Sequence, residues 1–207
     1  MKILFIDSEN VKNRVKTIFK KNNPDKDFDL LSFNFIKLFS SIEVDTKMFY
    51  AAKLKVFSES RAASLKFIDE QRKLQKLLEK NNIKFIFGGH VRKQMNELNK
   101  FVFREKGVDV QIATDIVEMI CMKDVTEIFL MSSDSDLQPV IKIAKKYGVR
   151  VNYVAFENYV NLGLLSTTDH TIKISEKLIL ECYTPVVPNI LDLENETEEV
   201  KTYGDTI

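Results

Sequence analysis

The chain has 207 residues, of which 44% are hydrophobic and 29% charged, and a formal net charge of +1. This is the length and balance of one globular domain with a sizeable core, and it gives no overall attraction to nucleic acid, so such a partner must rest on local patches. No apolar run approaches the length of a membrane span, and the start reaches an acid, Asp7, too soon for a signal peptide, so a cytoplasmic protein with no membrane partner is expected.

Taken in order, Ile3 to Ile6 is a short, wholly apolar run ending on Asp7. Such a run predicts a strand covered on both faces, as in a parallel sheet. Ser8-Glu9-Asn10 starts a helix with Val11, Val15, Ile18 and Phe19 at helical spacing, and Asn22-Asn23-Pro24-Asp25 breaks it. Leu30, Leu31, Phe33, Phe35, Ile36 and Phe39 read as a second helix. A strand follows around 47–54, then a long charged helix over 61–80, then a strand over 83–87 closed by Gly88-Gly89. A helix is predicted over 108–122 with Ile112, Ala113, Ile116, Val117 and Ile120 as its stripe. The strand 128–131, a helix over 137–146 and the strand 149–154 come next, with Gly148 ending the helix. A short helix over 160–165 and an edge strand over 171–174 complete the fold. From Asp192 onward six acids face one lysine, Lys201. That segment is expected to be a disordered acidic tail. The domain is therefore placed at 1–180, with 181–207 as a C-terminal extension.

Strands alternating with helices give a parallel sheet with right-handed crossovers, and the commonest orders set the first strand beside the fourth. Asp7 and Asp134 then end neighbouring strands, at the edge where open α/β sheets bind ligands. Asp134 and Asp136 lie between a buried strand and a helix, where either acid alone reads as a cap or a solvated first-turn residue. Asp109 heads the core-facing stripe of its helix, near the favourable end of the dipole. Asp115 is on the same helix but off that stripe. Asp7, Asp109, Asp134 and Asp136 thus converge on one edge, with Asn10 as a neutral neighbour. Crowded carboxylates repel unless a cation sits among them. Cys121 and Cys182 are far apart and only His90 and His170 accompany them, which argues against a zinc site or a disulfide framework. Oxygen ligands alone select a hard ion, Mg²⁺ or Mn²⁺, which can activate water and hold a phosphodiester.

Three stretches in register carry a family resemblance: Phe5-Ile6-Asp7-x-x-Asn10, then Lys106-Gly107-Val108-Asp109-Val110-x-Ile112-Ala113-x-Asp115, then Ser132-Ser133-Asp134-x-Asp136-Leu137-x-Pro139. Over roughly residues 1–175 the chain resembles the NYN domains of the PIN-like nuclease superfamily, in the LabA-like branch. The resemblance implies a three-layer α/β/α PIN-like sandwich with a central, mostly parallel sheet of order 3-2-1-4-5. It also implies metal-dependent ribonuclease activity on single-stranded or structured RNA. Carried over by motif, Asp7, Asp109 and Asp134 would be core metal ligands, Asn10 would orient a ligand or water, and Asp115 and Asp136 would be outer ligands or their supports. The third motif departs from the family pattern, which more often has Gly at position 133 and Phe at 137; the carboxylates are unaffected.

Residues 84–106 hold Lys84, Arg92, Lys93, Lys100, Arg104 and Lys106 against Glu97 and Glu105, with His90, Phe101 and Phe103 interleaved. As a basic wall beside the acids they would track RNA phosphates, with Arg92, Lys93, Lys100, Arg104 and Lys106 as the contacts. The alternative is a solvated, helical or looped lid with its Phe residues in the core. The function expected is a metal-dependent endoribonuclease. Its rivals are an RNA-binding or scaffolding module without turnover and a Toprim-like phosphotransfer domain, which would place Glu where Asp7 stands. A homodimer is compatible with the sequence, which shows no stripe that would build it.

Overall fold

The computed structural model describes residues 1–58, 61–95 and 101–183. β1 (Lys2–Asp7) is the centre of the molecule, and every residue after Lys2 is buried. β2 (Thr46–Lys53), β3 (Ile83–Met95), β5 (Glu127–Met131), β6 (Arg150–Phe156) and β7 (His170–Ile174) join it in a sheet of order β4-β3-β2-β1-β5-β6-β7. All neighbouring pairs are parallel except β3 with β4 (Phe101–Lys106), which is an antiparallel hairpin on one edge. Counted among the parallel strands alone, the order is the expected 3-2-1-4-5, continued by one more strand.

Helices cover both faces: α1 (Ser8–Asn22), α2 (Phe35–Ser40), α3 (Arg61–Lys80), α4 (Val108–Cys121), α5 (Gln138–Lys146), α6 (Leu162–Thr167) and α7 (Glu176–Cys182). Because side chains alternate along a strand, β1 feeds two cores. Leu4 and Ile6 point into one with α1, α2, α3 and α7, while Ile3 and Phe5 point into the other with α4, α5 and α6. The first core is built on aromatic contacts, with Phe35 edge-on to Phe33 at 4.7 Å and to Phe49 at 6.0 Å. Burying one such ring contributes about 1.5–3 kcal/mol, and truncating Phe35 to Ala should cost about 3–5 kcal/mol.

Two elements differ from the sequence reading. The second helix is only Phe35–Ser40, because Asn34 caps it by accepting the Lys37 amide at 2.9 Å. Leu30 and Leu31 precede it in a loop and Phe33 is buried there without helical structure. The second difference is that Gly88-Gly89 do not close the third strand. β3 runs on to Met95, and residue 90 pairs with Lys53 on one side and Lys106 on the other. Gly89 has φ +72°, and a Cβ there would stand 1.8 Å from the Lys106 carbonyl oxygen. Glycine therefore bends the strand where it passes from one partner to the next. The segment read as a wall or lid is thus a two-stranded extension of the sheet. The acidic tail from Asp192 lies outside the described residues.

Candidate metal centre

β1 and β5 run side by side with Ile6 level with Met131, so their carboxyl ends present Asp7 and the loop Ser132-Ser133-Asp134 together. Asp7 is 5% exposed. One carboxylate oxygen caps α1, accepting the amides of Glu9 (3.1 Å) and Asn10 (3.2 Å). The other accepts the Asn10 side-chain amide and the Ser132 hydroxyl, the latter at 3.0 Å. Burial pushes the Asp7 carboxyl above the ordinary aspartate value, and the hydrogen bonds from Asn10, Ser132 and Glu9 pull against it.

The same serine hydroxyl accepts the Asp134 amide at 3.1 Å. Ser133 donates to the Asn10 side-chain oxygen, and Asn161 donates to the Ser133 carbonyl at 2.9 Å. Asp134 in turn accepts the Asp136 amide at 2.9 Å, capping a short 3-10 turn (Ser135–Leu137) that runs into α5 with Pro139 in its first turn. The loop after β5 is therefore held on both sides, and its acids are set by backbone geometry.

α4 enters from the hairpin. Gly107, with φ +92°, precedes the helix and packs against Gly89, where a Cβ added to Gly89 would stand 3.0 Å from the Gly107 Cα. Asp109 follows in the first turn, half-buried. Asp109, Asp134 and Asp136 each bring one carboxylate oxygen within 4.8 Å of the others. Three oxygen donors so close, without His or Cys, suit a hard divalent cation, which would also relieve their repulsion. Among the described residues this group does not include Asp7 or Asp115.

Asp115 is nearly two turns further along α4, accepting from Gln111 at 2.7 Å and from the Tyr50 hydroxyl at 2.8 Å. Burial and the Asp115 charge push the Tyr50 phenol far above its usual range, so it stays a donor. Asp115 thus ties α4 to β2. Of the basic residues, Arg92 and Lys106 are exposed on the hairpin, and Arg92 Nε donates to His90 Nε2 at 2.9 Å. Lys84 is the second residue of β3, paired with Met48 toward the other end of the strands. The side chains of Lys93, Lys100 and Arg104 lie outside the described residues.

Sequence reasoning missed Arg14. It sits one turn after Asn10 on α1, half-buried, with its guanidinium 3.8 Å from the centre of the Tyr159 ring. Asn10, Arg14, Ser133 and Tyr159 line one small recess beside the loop after β5. The i, i+4 spacing from Asn10 is the signal that could have found it.

A family model described as the NYN domain matches residues 3–177. Among curated proteins, an uncharacterized protein of Sinorhizobium fredii is 41% identical over 49 residues, covering 24% of this chain and 23% of that relative. An uncharacterized protein of Methanocaldococcus jannaschii is 31% identical over 74 residues, covering 36% of this chain and 31% of its own length. The chain thus spans only about a quarter to a third of these relatives. A crystal structure of a Vibrio parahaemolyticus protein of unknown function has the same fold, with a TM-score of 0.53 and 18% identity, covering 84% of this chain and 92% of that one. Among the described residues no helix is long and apolar enough to cross a membrane.

Proposed function

We propose that this chain, which belongs to the NYN domain family, is a metal-dependent endoribonuclease. The observation that carries the reading is the meeting of Asp109, Asp134 and Asp136 at the carboxyl edge of the parallel sheet. These three would hold Mg²⁺ or Mn²⁺, and Asp7, which stands outside that group, would add a ligand from the end of β1. A divalent cation held there would supply two things: a lowered pKa for water and neutralisation of charge on a phosphodiester.

The chain's own residues do the rest. Ser132 and Asn10 fix the Asp7 carboxylate and the loop that carries Asp134. Asp115, gripped by Tyr50 and Gln111, sets the rotation of α4 and so the placement of Asp109. Arg14, Arg92 and Lys106 offer cations to the phosphates of an RNA strand.

The test is cleavage of end-labelled single-stranded RNA in Mn²⁺, Mg²⁺ or EDTA by wild type, Asp7→Asn and Asp134→Ala. Metal-dependent cutting that both substitutions abolish is expected. Equal cutting by all three proteins, or cutting that survives EDTA, would overturn the reading. Metal-independent RNA binding with no cutting would leave the rival module without turnover.

A further inference from the structure

We infer that the cavity between α3 and the β2–β3 face of the sheet is the seat of this chain's own residues 186–193. The cavity measures about 290 Å³. Its walls are largely apolar, with Phe49 from β2, Phe57 beyond it, Phe67 and Leu74 from α3 and Phe85 from β3. The uncharged polar side chains described there already have partners. Gln71 donates to the Ala52 carbonyl at 2.9 Å, and Ser64 accepts the Phe57 amide at 3.3 Å. An occupant is therefore recognised by apolar surface. Phe67 is 57% exposed and Phe87 43%, and no other phenylalanine whose side chain is described is exposed. Both belong to this place, since Phe67 lines the cavity and the Phe87 ring stands 5.1 Å from that of Phe85. Solvated aromatic surface gathered at a cavity marks a seat for an apolar partner.

The occupant follows from where the described chain leaves the fold. Tyr183 packs against Phe28 with ring centroids 5.7 Å apart, and its hydroxyl accepts the Asp29 amide at 2.9 Å. The residue after Asp29, Leu30, is part of the cavity wall. At about 3.3–3.6 Å per residue, positions 186–193 reach roughly 10–36 Å from Tyr183. Tethering raises their local concentration to the order of millimolar, an advantage that a free partner lacks. Val186, Val187, Ile190, Leu191 and Leu193 supply the apolar surface, and proline at 185 and 188 lowers the entropy that seating costs. Acids interleave and follow, Asp192 and then Glu194 and Glu196. They suit the charged part of the wall, where Lys55 and Lys12, which also meets Glu9 at 3.4 Å, stand against Glu70 alone. The docking is independent of the chemistry at Asp109, Asp134 and Asp136.

The test uses the full chain, which contains no tryptophan, so Leu191→Trp places a single reporter in the segment. Its emission should be blue-shifted, and acrylamide should quench it several-fold less than it quenches a free tryptophan amide. Adding Phe67→Asp on the wall should move the emission to the red and raise quenching to the free level. Adding Ile190→Asp beside the reporter should do the same while leaving every described residue intact, so the test stands even where the wall variant unfolds. Leu162→Asp is the control, exposed on α6 over the other core, and should change neither reading. A reporter quenched like the free amide in the parent chain would overturn the inference. So would a protected reporter that Ile190→Asp, or a folded Phe67→Asp chain, leaves protected. Protection that fades on dilution would overturn it as well, since the segment would then be seated on a second copy.

Discussion

The Ser132 hydroxyl donates to Asp7 Oδ2 at 3.0 Å, joining the ends of the two central strands through one buried side chain. The same oxygen accepts the Asp134 amide, so one hydroxyl sets both the acid that ends β1 and the loop that follows β5. Its removal leaves a buried carboxylate short of a donor and a half-buried amide short of an acceptor. Ser132→Ala should therefore cost about 1–3 kcal/mol of stability, read by urea unfolding. Mn²⁺ affinity should fall with it, although Ser132 is not in the acid cluster. Loss of stability with unchanged Mn²⁺ affinity would show that the loop holds its shape without this link.

How much of this was legible in the sequence depends on what each residue had to report. Asp7, Asp109 and Asp134 each sit at the end of a periodic apolar segment, and periodicity is a strong signal. The place of the first strand beside the fourth followed from it, and so did the shared edge, while the full order 3-2-1-4-5 came with the family resemblance. Asp136 was legible as a neighbour of Asp134, but the cap that aims its backbone is a local turn that only geometry shows. The hairpin was not legible, because Gly88-Gly89 signals a turn as readily as a bend inside a strand. What decides between them is β4, whose pairing is with residues 6–16 positions earlier and leaves no periodic trace. Arg14 was hidden because a cation on an amphipathic helix looks like any solvated residue until its ring partner, 145 positions away, is in place.

Arg14 yields the second prediction. Its guanidinium lies over Tyr159, and among the described residues no carboxylate is paired with it. A stacked, pre-oriented guanidinium beside the acid loop is suited to a phosphate. Arg14→Ala should weaken RNA binding across all sequences and reduce the slope of log affinity against log salt by about 1. Arg14→Lys should restore part of the affinity, since a point charge remains but the stacking is lost. An unchanged salt slope in Arg14→Ala would remove this residue from the RNA path.

Gly89 is a position where the backbone leaves no choice. Its φ of +72° is costly for a side chain, and an added Cβ would collide with a backbone carbonyl, which cannot swing aside. Gly89→Ala should destabilise by about 1–3 kcal/mol or more and pull β4 away from β3. Because Gly107 starts α4 against this same contact, Asp109 should move with it. The check is a thermal melt combined with Mn²⁺ titration. A variant that melts like wild type would mean that the hairpin repacks around the methyl group.

The far side of the molecule offers a pH-dependent contribution independent of the acid cluster. Asp169 accepts the Val151 amide at 2.8 Å and pairs with Lys145 at 2.9 Å, locking the turn before β7 to β6 and α5. The amide hydrogen bond first, and then Lys145, hold its carboxyl below the usual aspartate value of 3.8. The sign follows from linkage: the unfolded chain takes up the proton first, so the stabilisation is complete above the unfolded pKa and is lost as pH falls through the folded one. Stability of the wild type should thus drop more steeply below about pH 4 than that of Asp169→Asn, the two curves converging in acid. The measurement is urea unfolding of both proteins from neutral pH down to the acid limit. Parallel curves throughout would mean that the Asp169 contacts persist in the unfolded chain or add nothing to it.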